Sequence, residues 1–256
     1  MIKWISRWSV KKPIYIDCYT SRSYVYKYAP IATANNFLPD WWKALPKEFI
    51  DEQQGNVPAS TLKRCAGLID LYGKGLVIPI WSDLRIQMHG DGGGTYRYNY
   101  SDLESTMTQH MPAQLGTFSI DNHIIFLKID SPWLFECAEN IDWHWSQPVW
   151  NYLAEKDFCV LPGVLNFKYT NETNINIMLK PQDNVINIGH GMPLAHVIPL
   201  SDRPIKIRNH LISIEEFNRK KAMQASPIVF VGKHYKQMKI LKKQKSKCPF
   251  GFGSNT

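Results

Sequence analysis

Leu76-Val77-Ile78-Pro79-Ile80-Trp81-Ser82-Asp83-Leu84-Arg85-Ile86 runs through His89-Gly90-Asp91-Gly92-Gly93-Gly94 into Thr95-Tyr96-Arg97-Tyr98-Asn99-Tyr100. The leading apolar run, rich in β-branched and aromatic side chains, suits a buried strand and carries on through Leu84 and Ile86. Asp91-Gly92 inside the glycine run allows the positive φ angles of a tight turn. Beyond it Tyr96, Tyr98 and Tyr100 alternate with polar residues, the period of a half-buried strand. The stretch reads as a β-hairpin.

Upstream, Pro13 to Tyr28 also reads as β structure, with Ile14 and Ile16 alternating and Tyr24, Tyr26 and Tyr28 repeating with period two. Phe37-Leu38-Pro39-Asp40-Trp41-Trp42 predicts a short helical turn. Leu62, Cys65, Leu68/Ile69 and Tyr72 share one helical face, with Ser60 as N-cap and Gly73 as stop. Downstream, strands are expected at 118–120, 124–129, 133–137, 158–160, 164–169, 175–179, 185–188 and 194–200, joined by Gly, Pro, Asn and Asp. Such close spacing argues antiparallel pairing rather than β-α-β units. Ser213-Ile214-Glu215-Glu216 is an S-x-x-E capping box before a helix, and His234 to Lys247 reads as a basic helix. The expected fold is α+β, mostly β: an antiparallel β-sandwich or jelly-roll-like core with short helices near both ends. Residues 1–215 form the β-rich globular domain and 216–256 a helical basic C-terminal extension. Trp81, Trp133, Leu165 and Ile198 are assigned to one buried core.

The chain has 256 residues, 44% hydrophobic and 20% charged, ordinary proportions for a protein that buries a core. Its five cysteines are scattered and contain no C-x-x-C, which fits neither a disulfide framework nor a zinc ribbon. Met1 to Trp8 is basic and aromatic but lacks the apolar stretch of a signal peptide, and no run approaches a membrane span. The cytoplasm is the expected setting, with no membrane partner. Charge is segregated. Residues 1–30 hold six Lys/Arg against Asp17 alone, and residues 217–256 hold ten and no acid. Residues 31–216 hold fourteen basic and twenty-one acidic residues, so the basic balance belongs to the two ends.

Several segments together resemble an uncharacterised family of proteins encoded by tailed phages, especially those of aquatic bacteria. They are Leu38-Pro39-Asp40-Trp41-Trp42, Thr61-Leu62-Lys63-Arg64-Cys65, Val77 to Asp83, Ser131-Pro132-Trp133, and Ile188-Gly189-His190-Gly191-Met192-Pro193-Leu194-Ala195-His196-Val197-Ile198-Pro199-Leu200. The likeness spans roughly residues 35–215. It departs from the family pattern at Ala66, where a Pro commonly follows the Cys, and at Glu136–Trp145, where a Pro-Gly-Tyr-Ser run is usual. The family has no assigned activity, so the resemblance implies a phage origin and a fold, with the virion as a second setting. The Gly-Met-Pro turn into an apolar strand also occurs in trimeric nucleotide-hydrolysing β folds, but as a physical object it is a tight turn into a core strand.

Two readings of chemistry follow. His89-x-Asp91 on a strand would point both groups one way, as in Fe(II) oxygenases that use two His and a carboxylate. His196 or His190 would supply the third ligand, and Arg208 or Arg203 would hold a 2-oxoacid such as 2-oxoglutarate. Asp142-Trp143-His144-Trp145 reads instead as two core indoles with a His on the opposite face. His110 lies in an expected loop. No G-x-S-x-G, P-loop or G-x-G-x-x-G is present. The clearest feature outside the core is the tail, where Lys233, Lys236, Lys239, Lys242, Lys243, Lys245 and Lys247 interleave with Tyr235, Met238 and Leu241. Such a run docks on an acidic protein surface or on nucleic acid phosphates. The leading expectation is a non-enzymatic phage binding module that needs no cofactor. The alternative is a cupin-like Fe(II)/2-oxoacid-dependent oxygenase.

Overall fold

The computed structural model describes residues 11–88, 96–102, 104–114, 124–150, 158–179 and 185–224. Strand β1 (Ile14–Thr20) shows the alternation expected of it: Ile14, Ile16, Cys18 and Thr20 are buried while Tyr15, Asp17 and Tyr19 face outward. It pairs in parallel with β16 (Ile205–Leu211) over seven residue pairs, from Ile14↔Ile205 to Thr20↔Leu211. On its other side lies β9 (Ile125–Glu136), which pairs with β13 (Glu172–Leu179), and β13 with β11 (Cys159–Val160). A short β8 (Met107–Gln109) continues the β1 edge of β9.

The second sheet is antiparallel throughout. Its order is β12 (Gly163–Leu165), β10 (Trp143–Ser146), β15 (Pro193–Pro199), β5 (Leu76–Pro79) and β2 (Ala32–Thr33). A third sheet joins β14 (Val185–Ile188), β6 (Leu84–Met88) and β7 (Tyr96–Tyr100), and β6 and β7 pair as the hairpin expects, but the strand expected to run from Leu76 through Ile86 is two strands, β5 and β6, parted at Ile80–Asp83 and placed in different sheets. Side chains of all three sheets share one core. Ile14, Ile16, Leu127, Trp133 and Phe135 come from the first sheet, Ile78, Trp143 and Val197 from the second, and Leu84, Ile86 and Ile188 from the third. The architecture is the mostly-β sandwich expected.

A smaller apolar cluster covers the far side of the second sheet. Trp42, Tyr72 and Trp150 gather there with Val77, supplied by α2 (Asp40–Ala44), α3 (Ala66–Gly73) and the segment after β10. The rings meet edge to face at 4.6 Å (Trp42–Tyr72) and tilted at 5.0 Å (Tyr72–Trp150). Among the described residues, strands β3 (Glu48–Asp51) and β4 (Val57–Ser60) pair only with each other, with Phe49, Ile50 and Val57 exposed.

Four local expectations are corrected. Tyr24, Tyr26 and Tyr28 lie on helix α1 (Ser23–Tyr28), because the buried residues there are Val25 and Ala29, spaced i, i+4. The helix expected from Ser60 is split. Ser60 ends β4, Thr61 caps a 3₁₀ turn at Leu62–Arg64 through Lys63 N–H (3.2 Å), and only then does α3 begin. The two strands expected at 124–137 are one strand, β9, whose register shifts opposite Thr173, between Glu172 and Asn174. Pro132 lacks the N–H for a ladder bond, so the strand bulges there, and Thr173 Oγ1 donates to Trp133 O at 3.1 Å. Ile198 is half-buried and outside the core that holds Trp81 and Trp133, because it sits beside His144 on the opposite face; Leu165 packs against that core. The capping box forms as read: Ser213 Oγ accepts from Glu216 N–H at 3.2 Å, and α4 spans Ile214–Gln224. The expected strand at 118–120, the turn at 89–94 and the basic stretch 234–247 lie outside the described residues.

Gly75 shows how closely the second sheet is packed. Its φ is +84°, and a Cβ there would lie 2.3 Å from the carbonyl oxygen of Val197. Gly75→Ala should therefore cost well over about 1 kcal/mol, and Trp133→Ala about 3–5 kcal/mol. Urea denaturation reads both, and unchanged midpoints would show the core to be assigned wrongly.

Candidate functional site

The β1–β16 register aligns two outward rows. Tyr15, Asp17 and Tyr19 sit beside Lys206, Arg208 and His210 in that order. Asp17 Oδ2 accepts from Arg208 Nη2 at 2.6 Å and Oδ1 from His210 Nε2 at 2.7 Å. Partial burial acts to raise the Asp17 carboxyl, but the bonds and charges of Arg208 and His210 outweigh it and hold the group below its ordinary 3.8. His210 stacks on Tyr19 at 4.8 Å, and Lys220 Nζ sits 4.0 Å over the same ring. Arg208 lies 5.0 Å and Lys206 5.9 Å from the Tyr15 ring centre. Tyr15 remains 38% exposed, so part of the ring meets solvent. Helix α4 reaches this surface from β9 and β13: Lys220 pairs with Glu136 at 3.1 Å, Lys221 with Glu172 at 3.4 Å, and Lys220 O accepts from Asn171 Nδ2 at 2.8 Å. The arrangement offers rings and cations on one sheet face.

A second constellation forms where two of the resemblance segments meet. The Ile80–Asp83 connection between β5 and β6 lies against the Gly189–Pro193 turn: Ile80 N–H donates to Met192 O (2.8 Å), Gly191 N–H to Ile80 O (2.8 Å) and His190 N–H to Asp83 Oδ1 (2.7 Å). They border a cavity of about 550 Å³ with Tyr24, Trp81, Ser101 and Asp102 on its wall. Asp102 is saturated. Oδ2 accepts from Arg22 (2.9 Å), Ser105 (2.6 Å) and Tyr24, and Oδ1 from Glu104 N–H (3.0 Å). Burial raises this carboxyl too, and those donors more than reverse it; burial and the bond to Asp102 push Tyr24 up to about 12. Trp81 Nε1 donates to Ser105 Oγ at 2.7 Å, which ties the network to the core. Its chemistry is that of a closed, rigid clamp.

The residues named for an iron site are dispersed where they are described. His190 is exposed at the Asp83 turn. His196 lies on the other face of β15 from Ala195 and Val197, buried against Trp150 at 4.8 Å. Its Nε2 is 2.7 Å from Lys74 O, and since a carbonyl only accepts, Nε2 carries the proton. Arg208 pairs with Asp17, and Arg203 makes a bidentate pair with Glu139 (2.5 and 2.9 Å) while also donating to Lys12 O and Pro13 O. His89 and Asp91 lie outside the described residues, as do Lys236, Lys239, Lys242, Lys243, Lys245 and Lys247. Among the described residues no three His, Cys, Asp or Glu side chains gather to hold a metal. Trp143 and Trp145 are buried and His144 half-buried opposite them, as alternation requires. His110 follows β8, outside the strand as expected, with Nε2 at 3.1 Å from Asn176 Oδ1. The Arg22–Asp102 clamp and the Asp17–His210 pair were not read from the sequence, for their partners stand 80 and 193 residues apart. The alternation of Ile205-Lys206-Ile207-Arg208 is the one local signal that marks β16.

Among known proteins, no family model matches the chain and no curated protein matches it. No described helix is long and apolar enough to cross a membrane.

Buried His196 carries a pH prediction. Burial, the largest influence, holds its pKa below the ordinary 6.5 against the bond to Lys74 O. Unfolded chains then bind more protons than folded ones below that value, so stability is complete above 6.5 and falls as pH falls. The lowered Asp17 and Asp102 contribute stability that is present above 3.8 and lost as pH falls below it. Urea midpoints should therefore start to drop as pH falls through 6.5, well before the carboxylates titrate, and His196→Gln should flatten that slope. A native midpoint that holds constant through that fall would contradict a neutral buried imidazole.

Proposed function

We propose that this chain is a non-enzymatic binding module of a tailed phage that grips an anionic partner through the basic segment following α4. The observation that carries the reading is the seat of α4. Lys220 and Lys221, paired with Glu136 and Glu172, hold the helix against the Tyr19–His210 face, and residues 225–256 follow this helix in the sequence. Those residues hold seven lysines and no acid. A run this dense repels itself and gains by meeting phosphates or carboxylates, through a contact that salt screens over about 8 Å at physiological ionic strength. The resemblance to tailed-phage proteins supports the setting, in the host cytoplasm or in the virion. No cofactor is required.

Deleting residues 225–256 tests the reading. The shortened chain should keep its melting transition, since the described core ends before the deletion. It should lose salt-sensitive association with two fluorescent polyanions, a thymidine oligonucleotide and polyglutamate. Undiminished binding of both after deletion would place the contact elsewhere and overturn the proposal.

A further inference from the structure

We infer that the outward face of β1 and β16 is a second part of this interface, and that its partner is single-stranded nucleic acid. The inference rests on the binding reading above and adds to it a surface and a partner class. Three observations on one face lead there. First, the register sets two rings on β1, either side of Asp17, beside three basic side chains on β16: Tyr15 beside Lys206, Asp17 beside Arg208, Tyr19 beside His210. Residues two apart on a strand repeat every roughly 6.6 Å, so Lys206, Arg208 and His210 form an evenly spaced row along an extended chain. Second, the acids on the face are neutralised in place, Asp17 by Arg208 and Glu136 by Lys220. Lys206 has no ion pair among the described residues, and Tyr15 keeps solvent-facing ring surface. Third, both basic ends of the sequence are continuous with elements of this face. Residues 1–13 lead into β1, and α4, which follows β16, leads into the lysine-rich segment.

The chemistry then chooses among anions. Carboxylates of an acidic protein would use the cations and leave the rings idle. A duplex presents phosphates but hides its base faces, and its major groove takes a protruding helix or ribbon rather than a sheet face. A single strand offers both phosphates and unstacked bases, and proteins take it up on basic grooves lined with aromatic side chains. Little base specificity is expected, since ring stacking and lysine contacts read no base edges.

The test uses the full chain and fluorescence anisotropy with labelled dT20, a labelled duplex of the same length and labelled polyglutamate. Native protein should bind dT20 most tightly, with log affinity falling by about 0.7 per phosphate neutralised for each unit of log salt. Tyr15→Ala should weaken dT20 binding by about 5- to 150-fold, the range set by loss of one stacked base. Tyr15→Phe should restore it, and Lys206→Glu should weaken it without altering the melting temperature. Equal binding of dT20 by native, Tyr15→Ala and Lys206→Glu chains would remove the face from the interface while leaving the lysine-rich segment as the binder. Preference for polyglutamate or duplex would overturn the partner class alone. Binding of none of the three probes would defeat both this inference and the function on which it rests.

Discussion

The parallel pairing of β1 with β16 is the constraint on which the molecule's organisation depends. It joins residues 191 positions apart and is the one parallel pairing among the described strands. Antiparallel neighbours can be closed by a turn of two residues, but a parallel pair needs a crossover. Here almost the whole β body lies between the two strands. β1 is central, with β9 on one side and β16 on the other, so its inner residues Ile14, Ile16 and Cys18 enter the core while the outer row meets β16 side chain for side chain. Loop closure over such a span is entropically expensive, so this pairing should form late in folding, after the local hairpins.

Polar clamps hold the ends of that pairing. At the start of the strands, Arg203 locks Glu139 and the carbonyls of Lys12 and Pro13, and Ile14 N–H donates to Pro204 O at 2.8 Å. Just past the other end, Arg22 and Tyr24 reach Asp102, which Ser105 links to the buried Trp81. A charge pair that is also hydrogen-bonded on every side, as Asp102 is, loses much more when one partner is removed than an exposed pair does. The clamps thus convert a sheet-edge pairing into a fixed platform, and α4 is fastened to it by Lys220 and Lys221. The sandwich supports that platform, and in the proposed reading the platform is the surface a partner meets.

Legibility followed the range of the forces involved. The β class, the Leu84–Tyr100 hairpin, the strand at Val185–Ile188 and the Ser213 cap were readable, because alternation and capping are decided within a few residues. Tyr24, Tyr26 and Tyr28 misled because period two among exposed tyrosines carries no burial; Val25 and Ala29 held the information instead. Ser131-Pro132-Trp133 looked like a break between strands, since the bulge that absorbs Pro132 exists only opposite Thr173. β16 went unread because its alternation is modest and its partner lies at the far end of the chain. For the candidate site, Arg208 was legible only as a charge, and the role expected of it was to hold a 2-oxoacid. Which carboxylate Arg208 meets, and that tyrosines flank it, depended on the register with β1.

Hydrogen–deuterium exchange of the full chain with and without dT20 tests the central claim most directly. A strand at a sheet edge opens more readily than one in the interior, so β16 should exchange measurably in the free protein. The account predicts added protection in two stretches, Tyr15–Tyr19 and Lys206–His210, together with α4. Protection centred on the Phe49–Val57 hairpin or on the Asp83–His190 turn, with β1 and β16 unchanged, would contradict it.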